Sequence, residues 1–147
     1  MRLKTGNLIE VFLACLLVLS FVSVLNAADD TRFTLKDGVI SEAKLGLQWT
    51  PVLDRTMDHD QAEEYARNLS IAGGGWRLPT RAELKSLYDK SKPGGADPKF
   101  DVSYMWAWTS ELEAASFAWY FNFYYGNEGS FARDDSSGRV LAVRSRR

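Results

Sequence analysis

The sequence predicts an α+β domain in which two helices flank small antiparallel sheets, and three observations carry that expectation. Two stretches show helical apolar spacing, each opened by a capping residue; short alternating strands precede and follow them; and Asp-Gly and Gly-Asn turn signals separate the strands. The most informative stretch is Gly73–Leu87, GGGWRLPTRAELKSL, in which strand, turn and helix signals follow without a gap.

At the start of the chain, Arg2 and Lys4 precede an apolar run from Val11 to Leu25, then Asn26-Ala27-Ala28 and Asp29-Asp30. This is the pattern of a secretory signal peptide spanning residues 1–27, with a single domain over 28–147. The run is shorter than the roughly 20 residues a spanning helix needs, so membrane contact is limited to a transient signal peptide. Cys15 lies inside the run with Leu16–Leu19 still to come, which argues against lipid attachment. Once that segment leaves, the exported domain holds no cysteine, and its core must stand without a disulfide in an oxidising compartment, periplasmic, secreted or at the cell surface. All five tryptophans and six tyrosines lie beyond the segment and provide large buried area per residue. A net charge of −1 exerts no long-range pull on nucleic acid. The basic end Arg144-Ser145-Arg146-Arg147 reads as solvated charge closing a strand.

Thr31–Thr50 reads as an N-terminal hairpin turning at Asp37-Gly38, with Leu45, Leu47 and Trp49 on one face. Pro51–Met57 is a connection. Asp58 and Gln61 then form a D-x-x-Q variant of the capping box, and Ala62, Tyr65, Ala66 and Leu69 recur at helical spacing, predicting a helix from His59 to about Leu69. In the Gly73–Leu87 stretch, Trp76 and Leu78 share one face of an extended segment that Pro79 ends. Thr80 and Glu83 make a T-x-x-E capping box, and Leu84, Leu87 and Tyr88 predict a helix from Arg81 to about Lys90 whose stripe faces the same core as Trp76. Arg77 is the natural ion-pair partner of Glu83. Trp49, Trp76, Arg77, Leu78, Pro79, Thr80, Glu83 and Trp119 are accordingly assigned to the scaffold.

Ser91–Pro98 is a turn-rich loop of the kind that carries specificity. Strands are expected at Met105–Thr109, Ser116–Tyr125, Ser130–Arg133 and Arg139–Ser145, with Glu111-Leu112-Glu113 among the connections and the last three antiparallel through short links. Strict alternation over Phe117–Tyr125 puts Phe117, Trp119, Phe121 and Phe123 toward the core. The opposite face, Tyr120, Asn122 and Tyr124, together with Asn127 and Arg133, combines flat apolar rings with hydrogen-bonding groups. That combination suits a sugar ring or a polar protein surface, and these five residues are the candidate ligand-binding set.

Motifs for chemistry are sparse. The only histidine, His59, reads as a solvated first-turn residue rather than a base; there is no G-x-S-x-G, no phosphate loop and no His/Cys metal spacing. Neither catalytic nor metal-binding residues nor a cofactor are therefore expected. Asp134-Asp135-Ser136-Ser137-Gly138, with Asp97 or Asp101, offers oxygen ligands for calcium, but the spacing favours a plain hairpin turn.

The run Trp76-Arg77-Leu78-Pro79-Thr80 with Glu83-Leu84 resembles the Lcl C-terminal domain family, a bacterial domain of unknown function named after a collagen-like adhesin. Leu45-Gly46-Leu47-Gln48-Trp49, Ala62 with Tyr65, Trp108-Thr109-Ser110, Ala118-Trp119 with Phe121 and Gly126, and Val143-Arg144 extend the likeness over nearly the whole exported part. The resemblance implies a C-type-lectin-like α+β fold whose chain ends meet in one sheet. Members often carry cysteines where this chain has Ala66 and Ser145, implying one lost disulfide and roughly 2 to 5 kcal/mol less margin. It also implies an adhesin-like, carbohydrate-binding role. The expected function is an exported, non-enzymatic domain that binds a glycan or an envelope protein. Other readings are a structural component of the envelope and an enzyme whose site no motif reveals. The oligomeric state is not set by the sequence.

Overall fold

The computed structural model describes residues 32–102 and 105–146. The expected signal peptide and Cys15 lie outside the described residues. Among the described residues, two α-helices, three single-turn 3-10 helices and two small antiparallel sheets form the domain. Among the described residues, no helix is long and apolar enough to cross a membrane.

The first sheet has the order β1 (Phe33–Lys36), β2 (Val39–Glu42), β3 (Leu47–Trp49) and β7 (Val143–Ser145), antiparallel throughout. Asp37 and Gly38 both have positive φ, 52° and 75°, as a two-residue hairpin turn matched to strand twist requires. The first and last described strands thus belong to one sheet. Two expectations change here. Leu45 lies in the turn between β2 and β3 and is half-exposed, so it does not share the buried face of Trp49. β7 pairs with β3, not with the strand before it, because the approach to it is already held elsewhere: Met57 bridges Gly138, Leu53 N–H donates to Val140 O, and Thr50 N–H donates to Ala142 O.

Helix α1 (His59–Asn68) starts where Asp58 accepts from Gln61 N–H at 2.8 Å, and it buries His59, Ala62 and Ala66. Helix α2 (Arg81–Leu87) has the full reciprocal capping box of Thr80 and Glu83. It is shorter than expected, since Tyr88 turns extended at its end. The Trp76 segment is fixed by paired backbone hydrogen bonds between Arg77 and Val143, at 3.0 and 2.9 Å.

The second sheet joins β4 (Trp106–Ala114), β5 (Phe117–Asn122) and β6 (Asn127–Ala132). β4 runs through Glu111-Leu112-Glu113, expected as a connection; register shifts after Trp108 and Leu112 let it continue. Alternate residues of β4 and β5 enter two separate cores. Ala107 and Phe121 join Trp49, Leu84, Leu87, Phe100 and Phe123 in one, while Trp108 and Ala118 join Met57, Ala62, Ala66, Trp76 and Leu78 in the other. The stripe of α2 therefore does not share the core of Trp76, contrary to expectation. The final stretch alternates between the same two clusters, with Leu141 and Val143 in the first and Val140 and Ala142 in the second. Both faces of this stretch are buried, which makes Gly138–Ser145 the spine of the domain.

Phe117 is another correction. At the start of β5, it is 44% exposed, and Trp119 is half-buried beneath the Arg81 guanidinium, 4.2 Å from the ring centre. Arg144 is also buried, not solvated. It stacks over Trp76 at 4.5 Å and donates to Gln48 Oε1 and to the carbonyls of Ala72 and Gly74, pinning the glycine turn. Of the two positions where the resemblance implies a disulfide, Ala66 is fully buried in the Trp76 cluster and Ser145 is exposed at the end of β7.

Candidate functional site

The β5–β6 turn, Phe123–Gly126, projects two tyrosines. Asn122 Oδ1 accepts from the N–H groups of both Tyr124 (2.9 Å) and Tyr125 (3.1 Å), and Gly126 N–H closes the turn on Asn122 O at 2.8 Å. Tyr124 and Tyr125 are 55% and 70% exposed, and their rings stand edge to face with centres 4.6 Å apart. The turn packs closely on its neighbours. A Cβ on Gly126 would meet the Tyr88 ring at 2.4 Å, and one on Gly95 would meet Phe123 O at 2.2 Å, so only glycine allows the turn, Tyr88 and the Pro93–Gly95 loop to come together. Between them lies a hollow of about 170 Å³ lined by Tyr88, Lys90, Lys92, Gly94, Phe123 and Tyr124. The turn-rich loop after α2 therefore does border the candidate site.

The five residues expected to form one surface are divided among three places. Tyr120 is half-buried: its ring stacks on Phe131 with centres 4.9 Å apart, lies 4.9 Å from Trp106, and covers Gly129, its partner on β6. Tyr124, Asn122 and the exposed Asn127 are at the turn, with Asn122 occupied in holding it. Arg133 follows β6 at the opposite end from the turn, where its guanidinium binds Asp60 and Ala115 O. Sequence reading missed Tyr125, Lys90 and Lys92; the adjacent aromatic pair in a Gly-containing turn was the available signal for the first.

A larger hollow of about 690 Å³ opens beside Arg133, lined by Asp58, Asp60, Glu64, Phe117 and Asp134 among others. The charged part of its lining is mainly acidic, and its one guanidinium is already paired. The hydrogen bond and charge of Arg133 hold the Asp60 carboxyl below its usual range.

His59 borders this region and is a clear departure from expectation, being 1% exposed. Its ring packs edge-on to Trp108 at 5.4 Å, and Nε2 lies 2.8 Å from Thr109 O. A carbonyl only accepts, so Nε2 carries a proton, and in the neutral ring Nδ1 then presents a lone pair 3.7 Å from Asp60 Oδ1. Nδ1 is buried without a hydrogen-bond partner, an arrangement that costs about 1 to 3 kcal/mol.

The residues assigned to the scaffold are tied into the fold, Trp119 by the Arg81 guanidinium over its half-buried ring rather than by either core. Trp49 Nε1 donates to buried Glu42 at 3.1 Å, Trp76 Nε1 donates to Ile71 O at 2.9 Å, and Arg77 binds Glu83 through two bonds of 2.8 and 2.7 Å. Leu78 and Pro79 are buried. In the Asp134–Gly138 segment, Asp135 accepts from the N–H and hydroxyl of Ser137, which lowers its pKa and accounts for the turn without an ion. The segment leads into the spine rather than a hairpin. Asp97 caps the following turn by accepting from Lys99 N–H.

Fold and site together define a small α+β domain that presents a tyrosine-bearing hairpin turn beside a lysine-bearing loop. The chain belongs to the Lcl C-terminal domain family, whose model matches residues 38–144. No curated protein and no solved structure matches it.

Proposed function

We propose that this is an exported, non-enzymatic recognition domain, C-type-lectin-like in its use of a loop-bearing rim, and that it binds a glycan or an envelope protein through the β5–β6 turn. One observation carries the reading: two largely exposed tyrosines are held in a fixed edge-to-face pair beside a hollow bordered by Lys90 and Lys92. An exposed aromatic pair retains unspent apolar area, and a preordered turn loses little conformational entropy on binding. Ring faces take the apolar side of a pyranose, and the neighbouring amines supply hydrogen bonds to its hydroxyls. Catalysis is disfavoured because the only histidine is buried and neither ring nitrogen hydrogen-bonds a hydroxyl or thiol that it could activate. Export rests on the charged, apolar and small-residue pattern of residues 1–27.

The test is a glycan array and an envelope-fraction pull-down with the purified protein and its Tyr124→Ala/Tyr125→Ala variant. Capture by the parent and at least tenfold weaker capture by the variant is the expected result. Equal capture by both would remove the turn as the binding surface.

A further inference from the structure

We propose that His59 Nδ1 and the carboxylates of Asp60 and Glu63 form a binding site for one divalent cation of the zinc type at the start of α1. The three donor atoms lie within 4.8 Å of one another, with Nδ1 3.7 Å from Asp60 Oδ1. The independent pointer to a ligand is the imidazole itself. It is 1% exposed, its tautomer is set by Thr109 O, and the nitrogen turned toward the carboxylates has no hydrogen-bond partner. At 3.7 Å, Asp60 is too far to satisfy it by a hydrogen bond. A ring nitrogen anchored on a backbone carbonyl, with the other left as a bare donor, is the usual way proteins orient a metal-binding imidazole.

The geometry closes with small movements. Bonds of about 2.0 to 2.2 Å place tetrahedral donors roughly 3.4 Å apart. Asp60 is exposed and Glu63 half-exposed, so each side chain has room to rotate inward once it leaves its arginine, Arg133 for Asp60 and Arg67, 4.0 Å away, for Glu63, while the buried imidazole stays fixed. His59 and Glu63 are four residues apart and lie on one helix face. Two carboxylates balance the charge of a divalent ion, and they outweigh the roughly half positive charge of the helix start. The mixed nitrogen and oxygen donor set favours zinc and its neighbours over calcium or magnesium, which take oxygen alone.

Arg133 is the competitor. Its guanidinium binds Asp60 through Nε at 3.1 Å and through Nη2, so an entering cation must replace it. The displaced guanidinium keeps the Ala115 carbonyl, 3.3 Å away, and the acidic hollow around it.

The experiment uses tag-free protein recovered from expressing cells, stripped with a chelator and titrated with Zn²⁺ alone by calorimetry and by nitrogen-15 NMR. The chain has a single histidine, so its imidazole signals are unambiguous. One Zn²⁺ per chain, a shift of the Nδ1 signal with the Nε2 proton retained, at least tenfold weaker binding by Asp60→Asn and by Glu63→Gln, and at least threefold tighter binding by Arg133→Gln are expected. The two carboxylate variants are chosen because His59 is buried and its removal disturbs the core, and circular dichroism verifies that they fold. Imidazole signals unmoved by saturating Zn²⁺, or Asp60→Asn and Glu63→Gln binding as the parent does, would overturn the site.

Discussion

Gly138→Ala tests the claim that the final stretch is the spine of the domain. Gly138 does not need glycine for its backbone, since it is absent from the residues with positive φ. What it needs is space. A Cβ there would lie 2.2 Å from Trp108 Nε1 and 2.6 Å from both Cδ1 and Cε2. Neither side is able to give way. Trp108 is fully buried, donates to Met57 O at 2.9 Å and packs edge-on against Trp106 and His59, while Gly138 O accepts from Met57 N–H at 2.9 Å. Overpacking of this kind costs about 1 to 3 kcal/mol, and three blocked ring atoms place this case near 3. For a domain of this size that corresponds to a fall in Tm of about 10 to 15 °C. Gly46→Ala is the control, because Gly46 has φ of 64° with nothing within 4 Å of its added Cβ, so it isolates the backbone penalty of about 1 kcal/mol. Thermal unfolding and urea titration measure both, and a double-mutant cycle with Trp108→Phe should recover at least 1 kcal/mol by relieving the overlap. At roughly 4 °C per kcal/mol for a domain of this size, a Gly138→Ala protein within about 2 °C of the parent, or strict additivity with Trp108→Phe, would refute the reasoning.

Arg144→Lys is expected to lower stability by about 2 kcal/mol in urea titrations, since a lysine ammonium cannot reproduce the fork to Gln48, Ala72 and Gly74 while lying flat on Trp76; a change under about 0.5 kcal/mol would return this residue to the surface category. Burial raises the pKa of Glu83, but the hydrogen bonds from Arg77 and Thr80 outweigh it and the carboxyl ends below its usual range. Its contribution is therefore complete above the ordinary glutamate pKa and lost as pH falls through the lowered folded value. Glu83→Gln, which retains a capping side chain, should cost about 1 kcal/mol at pH 7, and that gap should close on acidification. A gap independent of pH would contradict the ion-pair assignment.

What was legible in the sequence is what short-range chemistry determines. The Thr80–Glu83 box, the Asp37-Gly38 turn, the Asp58 cap and the Arg77–Glu83 pair all involve partners within six residues, and each is present. Alternation along β5 was visible too, but alternation reports only that two faces differ. It does not say that both are covered, and here α1 and α2 supply separate cores on the two sides. That is why Tyr120 lies packed on Phe131 rather than open to a ligand. His59 followed the same logic: its depth depends on Thr109, fifty residues away, and no local pattern encodes that partner.

The spine links these long-range effects. Gly138–Ser145 takes hydrogen bonds from Thr50, Leu53, Met57 and Arg77, and its side chains alternate between both cores. Positions that bridge two cores cannot adjust to one without disturbing the other, so they are rigid for a geometric reason. The candidate recognition turn lies at the far end of β5 and β6, held by Asn122 and by two glycine contacts rather than by the spine. Substitutions at Tyr124 and Tyr125 should therefore be nearly silent in stability while those at Gly138 and Arg144 are not, and this separation allows binding to be tested without unfolding the domain.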